Sequence, residues 1–455
     1  MSETGVGNAS IDETSRVVEE PWPNPRYAWY VVIVLFLGAV LSLMDRQIIA
    51  LLVEDIKVDL GLNDFEIGLL QGPPFGIFYA LMAIPIALVA DRGNRRNIIV
   101  AGMTFWSLAT AACGLAGNFW HLFLARIGVG AGEACLSPCS YSIISDYFER
   151  RFLPMALSVF TMGNLSGVGL AMIIGGGVIA WARTLGEVSL PLAGTIAPWQ
   201  LAFLLVGLPG VLLALLVLTL REPVRRRGQA DSADNSTLSA FISFVTQHLR
   251  TFATLFASFT MLVLVAYGNF AWVPSFFIRT FGWSTAEAGY FYGLVVATFG
   301  TGGALLGGWL ASHLSGKGHP DAPYRATLYF SLPLAPLAVM VFWAAPDGWW
   351  AMFWYAPYQI CSAAPAGLAA TAMMTITPNQ MRAKIGSTYL FFSNFIGLSL
   401  GAATVGYITH HILGDDQAIG WSLLLVNCVG APLACLFILL GMQPFRSSVA
   451  SLSAS

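Results

Sequence analysis

Long apolar runs separated by short polar segments dominate this chain. Residues 27–44, 67–90, 152–182 and 385–414 contain no Asp, Glu, Lys or Arg. A helix that crosses a bilayer needs about 20 mostly apolar residues. Lipid offers no partner to free backbone groups, so each run must satisfy its own hydrogen bonds as a helix. The pattern therefore predicts an all-α membrane protein.

Twelve such spans can be placed along the chain, at 27–50, 65–90, 97–117, 119–146, 152–182, 198–220, 252–278, 286–312, 326–345, 348–377, 384–412 and 419–442. The polar segment 221–250 divides them into bundles over 27–220 and 251–445. We predict that this segment is a cytoplasmic linker, that 1–26 is a disordered cytoplasmic tail, and that 446–455 is a second cytoplasmic tail. Near-equal halves of six spans are typical of transporters that rock about a midplane site.

Charge sets the expected orientation and excludes other classes. Charged residues make up 10% of the chain, against about 25% in soluble domains. If both termini are cytoplasmic, 17 Lys and Arg residues lie inside and three outside, as the positive-inside rule requires. A net charge of −2 gives no attraction to nucleic acid. We expect a multi-pass protein of the cell (inner) membrane.

The cysteines do not indicate a metal or a disulfide framework. All six lie inside apolar runs, where a free cysteine behaves as a small hydrophobe. Cys135 and Cys139 are one helical turn apart, but no histidine lies near them in sequence. We expect no metal site and no cofactor.

Four charged side chains lie deep within predicted spans. Asp45 and Arg46 are in the first span, and Arg126 and Glu133 are in the fourth. Arg126 and Glu133 are seven residues apart, so they share one helix face about 10 Å apart along the axis. Charges at the bilayer centre are costly and face the protein interior. We predict that the four meet around one cavity and couple transport to protons, or alternatively that they form a static ion-pair cluster.

The second half lacks such charges and is rich in aromatic residues instead. We predict that its aromatic side chains, among them Tyr358 and Tyr389, form an apolar pocket with Phe291 and Phe395. A charged wall facing an aromatic wall suits an amphipathic substrate. Glycine also recurs in the fifth and eleventh spans, which permits close helix packing; the packing is either static or an interface on which the two bundles slide.

The loop between the second and third spans reads Asp91-Arg92-Gly93-Asn94-Arg95-Arg96. This sequence resembles the signature loop of the major facilitator superfamily, with Asn94 before the basic pair and alanine at position 87 in place of the usual glycine. A signature loop with asparagine at that position resembles the loop of the spinster branch of this superfamily. Segments 44–47, 68–73, 126–133 and 146–148 resemble that branch too. The corresponding region of the second half, 307–313, lacks the Asp-Arg pair.

The resemblance implies alternating access and transport of lysolipids or sphingoid lipids, coupled to protons. It assigns Asp45, Arg46, Arg126 and Glu133 to proton coupling and head-group binding. It assigns the cytoplasmic gate to the signature loop, whose charged members are Asp91, Arg92, Arg95 and Arg96. We expect a monomer that is not an enzyme.

Two rival functions remain. An organic-anion/proton symporter of the same superfamily would also place an Asp-Arg pair in its first span. A membrane enzyme or a non-transporting sensor would need a catalytic cluster or a folded soluble domain. The longest internal polar segment, 221–250, is too short for such a domain.

Overall fold

The computed structural model describes residues 22–149, 151–190, 194–225 and 238–454, and these are almost entirely helical. The α-helices are α1 (Pro25–Leu51), α2 (Val53–Leu60), α3 (Asp64–Gln71), α4 (Pro73–Arg92), α5 (Arg95–Cys113), α6 (Phe119–Glu133), α7 (Leu136–Tyr147), α8 (Leu153–Leu185), α9 (Pro198–Leu218), α10 (Leu238–Gln247), α11 (Leu249–Phe281), α12 (Thr285–Val295), α13 (Thr301–Gly316), α14 (Ala322–Ser331), α15 (Leu334–Phe342), α16 (Gly348–Ala363), α17 (Leu368–Ile376), α18 (Arg382–Phe392), α19 (Ser399–Tyr407) and α20 (Ile419–Ala454).

Short irregular helices and one hairpin complete the described chain. The π-helical turns are Val296–Gly300, Ser393–Leu398 and Ile408–Leu413, and the 3₁₀ turns are Ala364–Gly367, Asn379–Met381 and Asp416–Ala418. Strands β1 (Val188–Leu190) and β2 (Gly194–Ile196) pair antiparallel. The sequence did not predict this hairpin, which lies in the connection between the fifth and sixth spans.

The twelve predicted spans correspond to helical stretches, and they are numbered 1 to 12 in the order in which they occur along the chain. Eleven stretches of the described residues are long and apolar enough to cross a bilayer. The remaining predicted span, the third along the chain, is α5. This helix has 19 residues and is less apolar because it begins Arg95-Arg96-Asn97. At 1.5 Å per residue this helix is about 28 Å long, close to the bilayer core thickness of about 30 Å. Several spans are broken at a Gly or Pro; the second, for example, is interrupted at Gly72 before Pro73.

The spans pack as two halves with the same internal arrangement. In the first half, spans 1 and 5, 2 and 4, and 3 and 6 pack together. In the second half the corresponding pairs, 7 and 11, 8 and 10, and 9 and 12, pack together. The halves meet along spans 2 and 11 and along spans 5 and 8. Exchanging span 2 with span 8 and span 5 with span 11 turns one interface into the other, so the halves are related by an approximate two-fold.

Glycines allow the halves to approach closely. In span 5, a side chain at Gly169 would collide with the backbone of Gly293 and Ala297 in span 8. In span 11, Gly401 lies against Gly268 of span 7 within the second half, whereas a side chain at Gly406 would collide with the backbone of Asp64 in the first half. Glycine therefore serves the interface between the halves in both spans, and span 11 also uses it for packing within the second half.

Two predicted boundaries differ from the structure. Residues 446–454 were expected to be a separate tail, but they continue α20 through Ala454. The linker 221–250 contains α10, and α11 begins at Leu249. Phe244 of α10 packs on Phe252 of α11. Residues 1–21, most of the predicted N-terminal tail, lie outside the described residues.

Candidate functional site

A cavity of about 440 Å³ lies between the two halves. Spans 1, 2 and 4 contribute polar and charged side chains to its lining. The opposite wall comes mainly from spans 7, 10 and 11 and is largely apolar. The polar and aromatic lining residues include Ser42, Arg46, Tyr79, Glu133, Ser137, Phe259, Tyr267, Phe270, Gln359, Tyr389 and Asn394. The first-half wall therefore carries the charged side chains Arg46 and Glu133, and the second-half wall carries aromatic side chains.

Glu133 and Arg46 form an ion pair on the charged wall. Nη2 of Arg46 donates to Oε2 of Glu133 at 2.8 Å, and Oγ of Ser42 donates to the same oxygen at 2.8 Å. The Glu133 side chain is fully buried, whereas 14% of the Arg46 side chain is exposed. Oε1 of Glu133 has no hydrogen-bond partner among the described residues. Such an oxygen could accept a proton or a bond from a ligand.

Asp45 and Arg126 lie behind this pair, outside the cavity lining. Nε1 of Trp106 donates to Oδ2 of Asp45 at 3.0 Å. Arg126 donates to the backbone carbonyls of Asp45 and Arg46, at 3.2 and 3.4 Å. The structure thus brings the four predicted charges together, but in two layers. Trp106 was not predicted, because nothing in the sequence distinguishes it from other tryptophans in spans.

Of the predicted aromatic pocket residues, Tyr389 lines the cavity and the other three do not. Phe291 packs instead between Trp283 and Trp349. The Tyr358 hydroxyl is buried in a network with Asn269 and Asn427.

Phe395 stacks on Phe391 and is 39% exposed. The physical reason is helix phase, since each residue turns the side chain by about 100°. Tyr358 is next in sequence to Gln359, and Phe395 is next to Asn394. Gln359 and Asn394 line the cavity, but the side chains of Tyr358 and Phe395 point away from it. Tyr267, Phe270 and Phe259 occupy the aromatic wall instead.

The signature loop makes its contacts within the first half. Arg95 is buried; its Nη1 donates to Asp146 at 2.6 Å and its Nε donates to Glu222 at 2.7 Å. The backbone N–H of Arg96 donates to Glu222 at 2.9 Å. The side chains of Asp91 and Arg92 are exposed. The loop therefore ties spans 3, 4 and 6 together in this conformation.

The same end of the second half carries a comparable tie with reversed charges. Asp321 precedes α14 and its side chain is fully buried. It accepts hydrogen bonds from Arg325 at 2.9 Å and from Arg446 of α20 at 2.6 Å. In the first half a buried arginine at the start of span 3 meets an acid beyond span 6. Here a buried acid at the start of span 9 meets an arginine of span 12.

An ion-pair network joins the halves at the opposite, predicted outer, end. Arg279 of span 7 donates to both carboxylate oxygens of Asp64, at 2.6 and 2.8 Å, and to Glu54 at 2.7 Å. Lys57 donates to Asp64 at 2.5 Å and to Asp416 at 2.7 Å. Asp64 is fully buried. These contacts lie at the outer end of the interface between the halves, and the sequence alone did not predict them.

Comparison with known proteins identifies the family. The family model of the Major Facilitator Superfamily matches residues 35–404. The chain belongs to this superfamily. It is therefore a multi-pass membrane transporter rather than an enzyme, and its bacterial relatives indicate the inner membrane.

Three relatives show what this transporter is similar to, and two of them are of the spinster type. An MFS-type efflux pump of Mycolicibacterium smegmatis is 30% identical over 407 residues, 89% of this chain and 90% of the pump. The sphingosine-1-phosphate transporter SPNS2 of Mus musculus is 31% identical over 255 residues, 54% of this chain and 43% of that protein. A bacterial homologue of the human lysosomal transporter spinster, solved inward-facing and unoccupied, has a TM-score of 0.73 and 27% identity, covering 94% of this chain and 97% of that one. The predicted spinster resemblance is confirmed.

Proposed function

We propose that this protein is a secondary active transporter that moves an amphipathic, single-chain lipid by alternating access, coupled to protons. The observation that carries the proposal is the cavity between the halves. Its first-half wall presents the Arg46–Glu133 ion pair, and its second-half wall is aromatic. A ligand with one charged end and a long apolar part would satisfy both walls.

Arg46 is the proposed contact for an anionic head group. Its guanidinium lines the cavity and uses one nitrogen for Glu133. Arginine offers five donors in a planar fork that suits phosphate and carboxylate oxygens. Tyr267, Phe270 and Tyr389 then face the apolar chain. The relative named as a sphingosine-1-phosphate transporter supports a phosphate head group.

Glu133 is the proposed proton carrier. It is buried, it has one oxygen without a partner, and its ion pair borders the cavity. The protonation of a carboxylate depends on nearby charges and on access to water, and both change when two halves rock about a central cavity. Asp45 lies too deep to border the cavity here, so it would serve as a second site behind Glu133.

Alternating access requires that each end close in turn. The ion pairs of Arg279 with Asp64 and of Lys57 with Asp416 close the predicted outer end. The symmetric contacts of spans 2 and 11 and of spans 5 and 8 give the halves two matched interfaces on which to rock. Asp91 and Arg92, exposed at the other end, remain the proposed cytoplasmic gate for the alternative state.

The test is uptake into proteoliposomes driven by a pH gradient, using sphingosine 1-phosphate, lysophosphatidylglycerol and gluconate as probes. The wild type should concentrate the lipid probes, and Glu133→Gln should bind them but lose gradient-driven accumulation. Glu187→Gln, an exposed acid outside the cavity, is the matched control and should transport normally. Accumulation of gluconate alone would favour the hypothesis that the protein is an organic-anion/proton symporter. Normal accumulation by Glu133→Gln, and also by its double variant with Asp45→Asn, would exclude both acids as carriers.

A static ion-pair cluster makes a different prediction for the same variants. It predicts that Glu133→Gln lowers thermal stability strongly, because the buried arginine beside it would lose its partner. Thermal unfolding of each purified variant therefore accompanies every uptake measurement. Lost accumulation with unchanged stability supports coupling, whereas parallel loss of both supports the static cluster.

A further inference from the structure

Phe75 lies against Arg46, which lines the cavity, and against Arg126, which lies behind it. Its ring is fully buried at the start of α4. The guanidinium carbon of Arg46 is 4.3 Å from the ring centroid, and that of Arg126 is 5.5 Å away. Tyr79, one turn further along α4, stacks on Phe75 at 5.6 Å and lies 5.4 Å from Arg46. One aromatic side chain of span 2 thus contacts cations from spans 1 and 4.

The two arginines have incomplete hydrogen bonding, which makes this ring important. Nε of Arg46 and Nε of Arg126 have no partner among the described residues. The hydrogen bonds of Arg126 go to backbone carbonyls at 3.2 and 3.4 Å, which is long for such bonds. The face of an aromatic ring carries negative charge density and attracts a guanidinium within about 6 Å. The ring therefore offsets part of the cost of burying two like charges near one another.

Gly130 in span 4 leaves the space that the backbone of Phe75 occupies. Arg126, Gly130 and Glu133 lie on one face of α6 at spacings of four and three residues. A side chain at Gly130 would collide with the backbone of Phe75. Span 2 can therefore approach span 4 between its two charged residues, and this approach brings the ring to the guanidinium groups.

The neighbours of Phe75 in sequence contact the other half of the protein. A side chain at Gly72 would collide with the backbone of Ser399 in span 11, and one at Gly76 would collide with Leu398 and Ser399. Leu398 also packs in one small cluster with Phe75. The ring is therefore attached to the segment of span 2 that forms the interface between the halves.

We propose that Phe75 is a positioning residue: it holds the guanidinium groups of Arg46 and Arg126 in place and links their position to the contact between spans 2 and 11. When the halves separate along that contact, the ring moves relative to spans 1 and 4. The arginines then lose a partner, and the charged wall rearranges. This role rests on the proposed function only in so far as Arg46 serves a substrate; the contact itself can be tested without one.

The first experiment measures the contact directly, on the full-length purified transporter. Phenylalanine at position 75 is replaced by its mono-, di- and trifluorinated forms, which weaken the negative ring face with little change in size. The rate at which phenylglyoxal modifies Arg46, which lines the cavity, is followed by peptide mass spectrometry. The rate should rise stepwise with fluorination, by at least about threefold over the series, and rise further in Phe75→Leu.

The matched control is Phe203, a fully buried phenylalanine of span 6 that packs on Trp199. Fluorination there should leave the Arg46 rate unchanged. Equal rates across the Phe75 series, or the same rise in the Phe203 series, would overturn the proposal. The fluorinated series keeps the test decisive even if Phe75→Leu does not fold.

The second experiment separates this proposal from the transport proposal. Sphingosine 1-phosphate uptake by the same fluorinated variants should show a rising KM with thermal stability unchanged. A graded labelling series with no lipid uptake by the wild type would refute the lipid substrate and leave the positioning role standing. Normal lipid uptake together with equal Arg46 labelling rates across the Phe75 series would refute the positioning role and leave the lipid substrate standing.

Discussion

Asp64→Asn should open the predicted outer end of the transporter. The wild-type carboxylate is fully buried and accepts three hydrogen bonds from two cations, at distances from 2.5 to 2.8 Å. One of these cations, Arg279, belongs to the other half, so this part of the network exists only while the outer end is closed. An amide keeps the size of the side chain but removes the charge. The substitution therefore acts mainly on the equilibrium between closed and open states.

The magnitude follows from the burial of the pair. Removing one partner of a buried ion pair costs about 3–5 kcal/mol. Arg279 keeps Glu54, and Lys57 keeps Asp416, as alternative partners, so the lower value applies. A loss of about 3 kcal/mol shifts the closed-to-open ratio by roughly 150-fold, since about 1.4 kcal/mol corresponds to tenfold.

Paired spin labels can measure this shift. Positions 58 and 412 are exposed near the outer end, one in each half, and positions 155 and 317 are exposed near the other end. Both pairs would be introduced after replacing the six free cysteines. In Asp64→Asn the outer distance distribution should move to longer values and the inner one to shorter values.

The control for this prediction is Asp55→Asn. Asp55 pairs with Arg183 at 2.8 Å, but this pair is partly exposed and both residues belong to the first half. An exposed pair contributes about 0–1 kcal/mol, and this one makes no contact between the halves. Unchanged distances in Asp64→Asn, or an equal shift in Asp55→Asn, would refute the role of the network in closing the outer end.

Three further predictions concern stability and substrate choice. Arg95→Gln should destabilise the first half by about 3 kcal/mol, because the buried carboxylate of Asp146 loses its ion pair with Arg95; thermal unfolding should show a clear loss that the exposed control Arg92→Gln lacks. Burial raises the pKa of Asp321, but the hydrogen bonds and positive charges of its two arginine partners together lower it by more than burial raises it. Its pKa is therefore below the ordinary value. Its ionised form therefore stabilises the fold above about pH 4 and this stability is lost as pH falls below that value; Asp321→Asn should flatten the acid limb of thermal stability against pH, and an unchanged limb would contradict this. Tyr267→Ala should weaken long-chain lysolipids more than short-chain ones in competition uptake, whereas Phe395→Ala, outside the cavity lining, should treat all chain lengths alike.

The sequence by itself determined the spans, the two halves and the charged residues of the site. Each span is a local property, because about 20 apolar residues must form a helix in lipid whatever surrounds them. The charges at Asp45, Arg46, Arg126 and Glu133 could be found for the same reason. A charge inside a span is costly unless it faces protein, so these four had to face the interior.

Tertiary structure decided which face of each helix meets the cavity. A helix of a soluble protein shows its inner face by an apolar stripe, but a membrane helix is apolar all round and gives no such signal. Tyr389 and Phe395 look equivalent in the sequence, yet only the first lines the cavity. Phe75 could not be distinguished from other phenylalanines until the glycines beside it brought span 2 against spans 4 and 11. Nothing in the sequence singled out Asp64, because its partner Arg279 lies 215 positions away and only folding brings the two together.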